Sequence, residues 1–128
     1  MELTLMGAAE ASAAIREGLI SSEDLVRACL EAVDRLEEKV QAWAFIDPEL
    51  ALQQARQADL ALQAGRSLGP LHGIPVGVKD IFDTRDMPTE DGTIVHKGRQ
   101  PLEDSTVVSK LREAGAIIMG KTVTTELA

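Results

Sequence analysis

The sequence predicts an α/β fold, with N-terminal helices followed by a βαβ unit of a mostly parallel sheet. Three observations carry that prediction. Two short apolar runs, Ile74-Pro75-Val76-Gly77-Val78 and Ala116-Ile117-Ile118-Met119, have the length and composition of buried strands. Between them Val107, Val108, Leu111 and Ala114 recur at helical spacing, and Gly115 stands where that helix would stop. Strand, crossover helix and strand make a unit whose strands run parallel with a right-handed connection. Ahead of it, helix-period patterning dominates. The chain of 128 residues divides into a helical scaffold over 1–66 and, over 67–128, a lysine strand, loop, helix and second strand.

Taken in order, residues 4–17 form a first helix, with Thr4 as a candidate N-cap and Ala8, Ala11 and Ile15 on one stripe, stopped at Gly18. Ser21-Ser22-Glu23-Asp24 opens a second helix with a capping serine and first-turn acids. Leu25, Cys29, Val33, Leu36 and Val40 give it an apolar stripe. Ala42–Ile46 is a short strand holding the single Trp. Asp47-Pro48 supplies an N-cap and a first-turn proline for a third helix running to about Ala64, with Ala51, Ala55, Ala58 and Leu62 facing a close neighbour and Gly65 ending it. Nothing in this half carries chemistry. Residues 84–103 are polar and turn-rich, a loop long enough to be functional or a surface excursion. Asp104 is expected to cap the helix that follows.

A net charge of −8 argues against a nucleic-acid backbone or an anionic membrane as the main partner. With two Phe, one Trp and no Tyr, the interior must be mainly aliphatic. The single Cys29 excludes an internal disulfide framework and, on an apolar stripe, reads as a structural thiol. The N-terminus lacks a basic signal-peptide region and no apolar run reaches membrane-spanning length, so the chain reads as soluble and cytoplasmic.

The residue that stands out is Lys79, at the end of the first predicted strand. Period-2 alternation puts Ile74, Val76 and Val78 on one face and Pro75, Gly77 and Lys79 on the other, with Gly77 leaving open space beside the lysine. An amine at the end of a buried strand either pairs with a carboxylate, here Asp80 or Asp83, or has its pKa lowered and can act as a base. The run Gly69-Pro70-Leu71-His72-Gly73-Ile74-Pro75-Val76-Gly77-Val78-Lys79-Asp80 closely resembles the lysine segment of the amidase signature family. The resemblance continues through Asp83-Thr84, Met87-Pro88-Thr89 and Gly92-Thr93, then through Ala114–Thr122 and Thr125-Glu126-Leu127-Ala128.

That resemblance implies an incomplete portion of the amidase signature fold, with residues 1–128 the N-terminal part of one amidase domain. It implies a Ser–cis-Ser–Lys triad in which neutral Lys79 is the general base. Acting through a bridging serine, it would deprotonate the serine that attacks a carboxamide and forms an acyl-enzyme. No metal or organic cofactor is required. Both serines lie downstream of Ala128 in the resembled family, so the chain is expected to be a fragment, inactive alone. The expected partners are a small-molecule amide and the remainder of the domain, with no nucleic acid and no membrane, and a homodimer left open. Ile81 and Val123 depart from the Asn usual in the amidase subunit of a tRNA-dependent amidotransferase. That subunit stays an alternative to a hydrolase of small or aryl carboxamides, as does a truncated, non-catalytic binding or structural chain. The substrate cannot be read, since most pocket residues should lie outside this sequence.

Three other patterns are set aside. Gly115–Thr122 matches the P-loop spelling, but its middle is an apolar strand whose N–H groups belong to a sheet. Lys121 is placed just past that strand. His72 and His96 read as loop histidines without converging ligands. The acids Asp80, Asp83, Asp86, Glu90 and Asp91 lack a calcium-loop spacing; Asp80 and Asp83 are expected to orient the Lys79 segment and the others to face water. Ser105 and Ser109 match no serine of the family.

Overall fold

The computed structural model describes residues 2–66 and 69–128. The expected division between 66 and 67, like Met1, falls on or beside residues outside that description. A 3-10 turn at Leu3–Leu5 precedes α1 (Ala8–Arg16) and α2 (Ser22–Val40). Strand β1 (Trp43–Ile46) and α3 (Pro48–Gln63) follow, then β2 (Pro75–Lys79), α4 (Thr106–Glu113) and β3 (Ile117–Thr122). Among the described residues, no helix is long and apolar enough to cross a membrane.

The sheet order is β1-β3-β2, with β2 parallel and β1 antiparallel to the central β3. The parallel pair is the one the βαβ pattern predicts. Ile117, Ile118 and Met119 alternate between the two layers. Ile117 and Met119 pack with Val26 and Leu30 of α2 and Ala51, Leu52, Ala55 and Ala58 of α3. Ile118 packs with Val78, Met87 and Val108 on the other side. Alanines at three- and four-residue spacing let α3 approach the sheet closely. Ile74, just ahead of β2, joins Ala11, Ile15 and Leu25 under α1 and does not share a cluster with Val76 and Val78 as strict alternation would have it.

Helix ends are fixed by side chains. The Ser21 hydroxyl accepts from Asp24 N–H at 2.9 Å while the Asp24 carboxylate accepts from Ser21 N–H at 3.2 Å, a reciprocal cap. Asp59 on α3 adds a second cap from a distance, accepting from the N–H groups of Ser22 at 2.7 Å and Glu23 at 3.0 Å. At the other end of α2, Glu37 accepts from the N–H groups of Ala42 and Trp43, tying the helix to the start of β1. Asp47 caps α3 as expected, with Pro48 in the first turn.

Several local expectations are corrected. α1 begins at Ala8 behind Gly7, and Thr4 lies inside the 3-10 turn and caps no helix. α4 is capped by Ser105, whose hydroxyl accepts from Val108 N–H. Asp104 instead faces Arg112 Nε at 3.0 Å and accepts from Arg85 N–H at 2.8 Å, ion-pair geometry that a helix-start pattern does not encode. On α2 the buried apolar residues are Leu25, Val26 and Leu30, whereas Leu36 and Val40 are 51% and 60% exposed.

Beyond the end of β1, the Gln54 side chain takes over as pairing partner of β3. Its Nε2 donates to Ile118 O at 3.0 Å and its Oε1 accepts from Ile118 N–H at 3.1 Å. The β2–β3 register slips by one residue between Val76 and Gly77, where Gly77 faces Gly120. The Trp43 indole lies across both glycines. A Cβ at Gly77 would stand 2.9 Å from Trp43 Cη2, and one at Gly120 would stand 2.6 Å from Phe45 O. The space expected to be open beside Gly77 is therefore occupied by Trp43 and the Thr122 methyl.

Candidate active site

β2 and β3 end side by side, with Lys79 opposite Thr122. Carboxyl ends of parallel strands are where open α/β sheets place their chemistry. The chain turns sharply there. Asp80 N–H donates to Thr122 O at 2.9 Å, and the N–H groups of Ile81 and Phe82 both donate to Lys79 O, at 2.7 and 3.0 Å. Lys79 is exposed, and no ion pair or side-chain hydrogen bond holds its amine among the described residues.

The expected partners of Lys79 are engaged elsewhere. Asp83 receives a two-pronged contact from Arg99, at 2.8 and 3.0 Å, and the guanidinium holds its carboxyl below the usual carboxylate range. Asp80 is buried and lies 3.2 Å from Lys121 Nζ. The acidic cluster thus resolves into separate pairs. Asp86 meets Arg112 at 2.7 Å, Asp91 meets His96 Nδ1 at 2.9 Å, and Glu90 accepts from Gly98 N–H. That corrects the expectation that Asp86, Glu90 and Asp91 simply face water, and it answers the alternative that Lys79 pairs with Asp80 or Asp83: both carboxylates meet other cations.

Lys121 is the residue the sequence reading missed. It lies within β3, not past it, and is completely buried. Register places it beside Val78 and Phe45, on the face away from Lys79. Its ammonium donates to Thr89 Oγ1 at 2.6 Å and Pro88 O at 3.1 Å, and faces the Asp80 carboxylate. Burial pushes its pKa down, and Asp80 opposes that shift. Plain alternation would have put Lys121 on the Met119 side; the one-residue slip at Gly77 and Gly120 moves it to the Ile118 side, which no sequence period encodes. The glycine made the strand look finished. Ile117 N–H, meanwhile, donates to Ile74 O, so the P-loop spelling lies in a ladder that leaves no phosphate cradle.

The 84–103 segment closes over Lys121 as a knit layer. Met87, Thr84 and Thr89 are buried, and Ile94–His96 makes a 3-10 turn. Gln100 Nε2 lies 3.0–3.2 Å from the carbonyls of Thr84, Arg85, Met87 and Pro101. Asp91 N–H donates to Asp80 O, and Thr93 Oγ1 donates to Glu126 at 3.0 Å, joining the loop to the segment after β3. A cleft of about 320 Å³ opens here, between Ala44, Glu90, Thr93, Ile94 and Lys97. His72 does lie in the turn ahead of β2, as expected. It is buried, and its Nε2 lies 2.8 Å from Ala58 O, where it serves packing at the opposite end of β3. Cys29 is half-buried, and burial raises its thiol pKa, as befits an inert position.

Residues 24–128 match the family described as Amidase. The chain is 42% identical over 112 residues to a Mycobacterium tuberculosis protein named as a putative amidase, AmiD, covering 88% of this chain and 24% of that one. It is also 42% identical over 121 residues to a component of the glutamyl-tRNA(Gln) amidotransferase of Acidothermus cellulolyticus, covering 94% and 24%. The crystal structure of native peptide amidase from Stenotrophomonas maltophilia superposes with a TM-score of 0.90 at 33% identity, over 97% of this chain and 26% of that one. The chain therefore spans about a quarter of the length of these relatives.

Proposed function

Since the chain belongs to the amidase signature family, we propose that it is the lysine-bearing part of a carboxamide hydrolase in which Lys79 is the general base. The observation that supports this reading is the state of that amine. It is exposed at the carboxyl end of β2, with both neighbouring carboxylates committed to other cations. A base must give up its proton near neutral pH, and a lysine does so more readily without an anionic partner. In the proposed reaction the Lys79 amine takes the proton of a serine through a second serine. The activated oxygen attacks the amide carbonyl, the proton passes to the leaving amine, and water releases the acid. Both serines come from outside these residues, so the isolated chain should not hydrolyse amides.

The test is Lys79→Ala in the complete enzyme with a carboxamide substrate. Loss of a general base should lower kcat by about 10²–10⁴-fold. Unchanged turnover would remove Lys79 from the chemistry. A second reading, the amidase component of a tRNA-dependent amidotransferase, is favoured by the equal identity to relatives bearing either name. Ile81 and Val123, in place of the usual Asn, weigh against it. Release of ammonia from glutamine only when partner proteins are present would favour that reading, and hydrolysis of simple carboxamides without them the first.

A further inference from the structure

We propose that Lys121 is a positioning residue that holds the Asp80 carboxylate on the side of the sheet away from Lys79, so that the Lys79 amine is left without a carboxylate partner. Asp80 is the nearest carboxylate to Lys79 along the chain. The fold keeps the two apart in three ways. First, register puts Lys121 between Val78 and Phe45, whereas Lys79 lies opposite Thr122, which also neighbours Trp43, so the two lysines project from opposite faces. Second, the Lys121 ammonium can make three contacts and has three: Asp80 Oδ1 at 3.2 Å, Thr89 Oγ1 at 2.6 Å and Pro88 O at 3.1 Å. Third, Asp80 is pinned around this pair, its Oδ2 accepting from Glu90 N–H at 3.4 Å and its carbonyl from Asp91 N–H at 3.0 Å.

The other charged groups around the pair do not compete for Lys79. Asp83 is held by Arg99, Asp91 by His96, and Glu90 by Gly98 N–H. From β3 and β1, the residues on the Lys79 face are Thr122 and Trp43, which carry no charge. A buried lysine that could be replaced by an apolar side chain is a costly way to fill space. As the counter-charge of Asp80 it has a reason to be there. The consequence for catalysis rests on Lys79 being the base, but the placement of charges does not.

The experiment follows the pH titration of the Lys79 side chain by its 13Cε NMR signal in the complete enzyme, and it needs no turnover. In Lys121→Met, Asp80 loses its cation and the Lys79 midpoint should rise by about one pH unit. In the double variant Lys121→Met with Asp80→Asn, both charges are gone and the midpoint should return to that of the unaltered enzyme. An unchanged midpoint in the single variant would overturn the proposal. So would a rise that persists in the double variant, because it would then come from loss of the Lys121 charge itself. If Lys121→Met does not give a folded amide spectrum, Asp80→Asn reads the arrangement from the other side. An uncompensated ammonium should lower the Lys79 midpoint, and no movement would overturn the proposal. A failure here leaves the Lys79→Ala result in the complete enzyme untouched, and the reverse also holds.

Discussion

The two faces of the sheet are held by different physics. Beneath β3, α2 and α3 cover Ile117 and Met119 with aliphatic side chains and closely packed alanines. Above it, the 84–103 segment covers Lys121 and Ile118 with a layer whose order comes from side chains bonding to distant backbone, through Gln100, Arg99, Thr84 and Thr89. The apolar face tolerates small shifts. On the polar face the buried groups depend on specific partners, and removing one leaves a buried charge or dipole short of a bond.

The contrast can be broken most forcefully from within. Ile118→Ala empties a completely buried site where α4 and the loop layer meet, and should lower stability by about 2–5 kcal/mol in urea unfolding. On the polar face Thr89→Val keeps the volume but strips the 2.6 Å acceptor from Lys121, with an expected loss of about 1–3 kcal/mol. If the loop layer were merely draped over the sheet, that variant would unfold at the unaltered urea concentration. Asp59→Ala removes the remote cap of α2 and should lower stability by about 1 kcal/mol, visible as a shift in thermal midpoint without loss of helix signal at low temperature.

Smaller effects sharpen the comparison through pH. Asp83, held low by Arg99, contributes stability that is present above its unfolded value and lost as pH falls through its folded value. Arg99→Gln should flatten that acid limb. Lys121 behaves oppositely to a lysine that gains stability from its partner. Burial lowers its folded pKa, so the charged form penalises the folded state below that value, and stability rises as pH climbs toward 10.5. Lys121→Met should remove this alkaline rise in the urea midpoint. At the bottom of the scale, Arg56→Ala disrupts exposed contacts to Glu23 and Glu49 and should leave the thermal midpoint where it was.

The same contrast explains what could be read in the sequence. The α2 capping box, the Asp47-Pro48 start of α3 and the two strands flanking α4 are local patterns, and periodicity finds them. Ser105 and Asp104 could not be told apart as caps, because the choice depends on Arg112 and Arg85 reaching Asp104. Lys79 was legible by motif. Its lack of a partner was not, since that depends on Lys121 and Arg99, which lie 42 and 20 positions further along the chain. The loop looked structureless because its bonds run from side chain to backbone, a pairing with no sequence period.

One small feature bears on how this sheet behaves among other chains. An uncovered stretch of strand is a template onto which another molecule can add its own, and that is how many β-rich proteins self-associate. Where β1 ends, β3 would offer such a stretch at Ile118. The Gln54 amide occupies both its donor and its acceptor there, imitating one residue of a neighbouring strand while remaining anchored to a helix. An invading peptide would have to displace it, and could not continue past α3. A single side chain thus fills the donor and acceptor that β1 leaves open on β3.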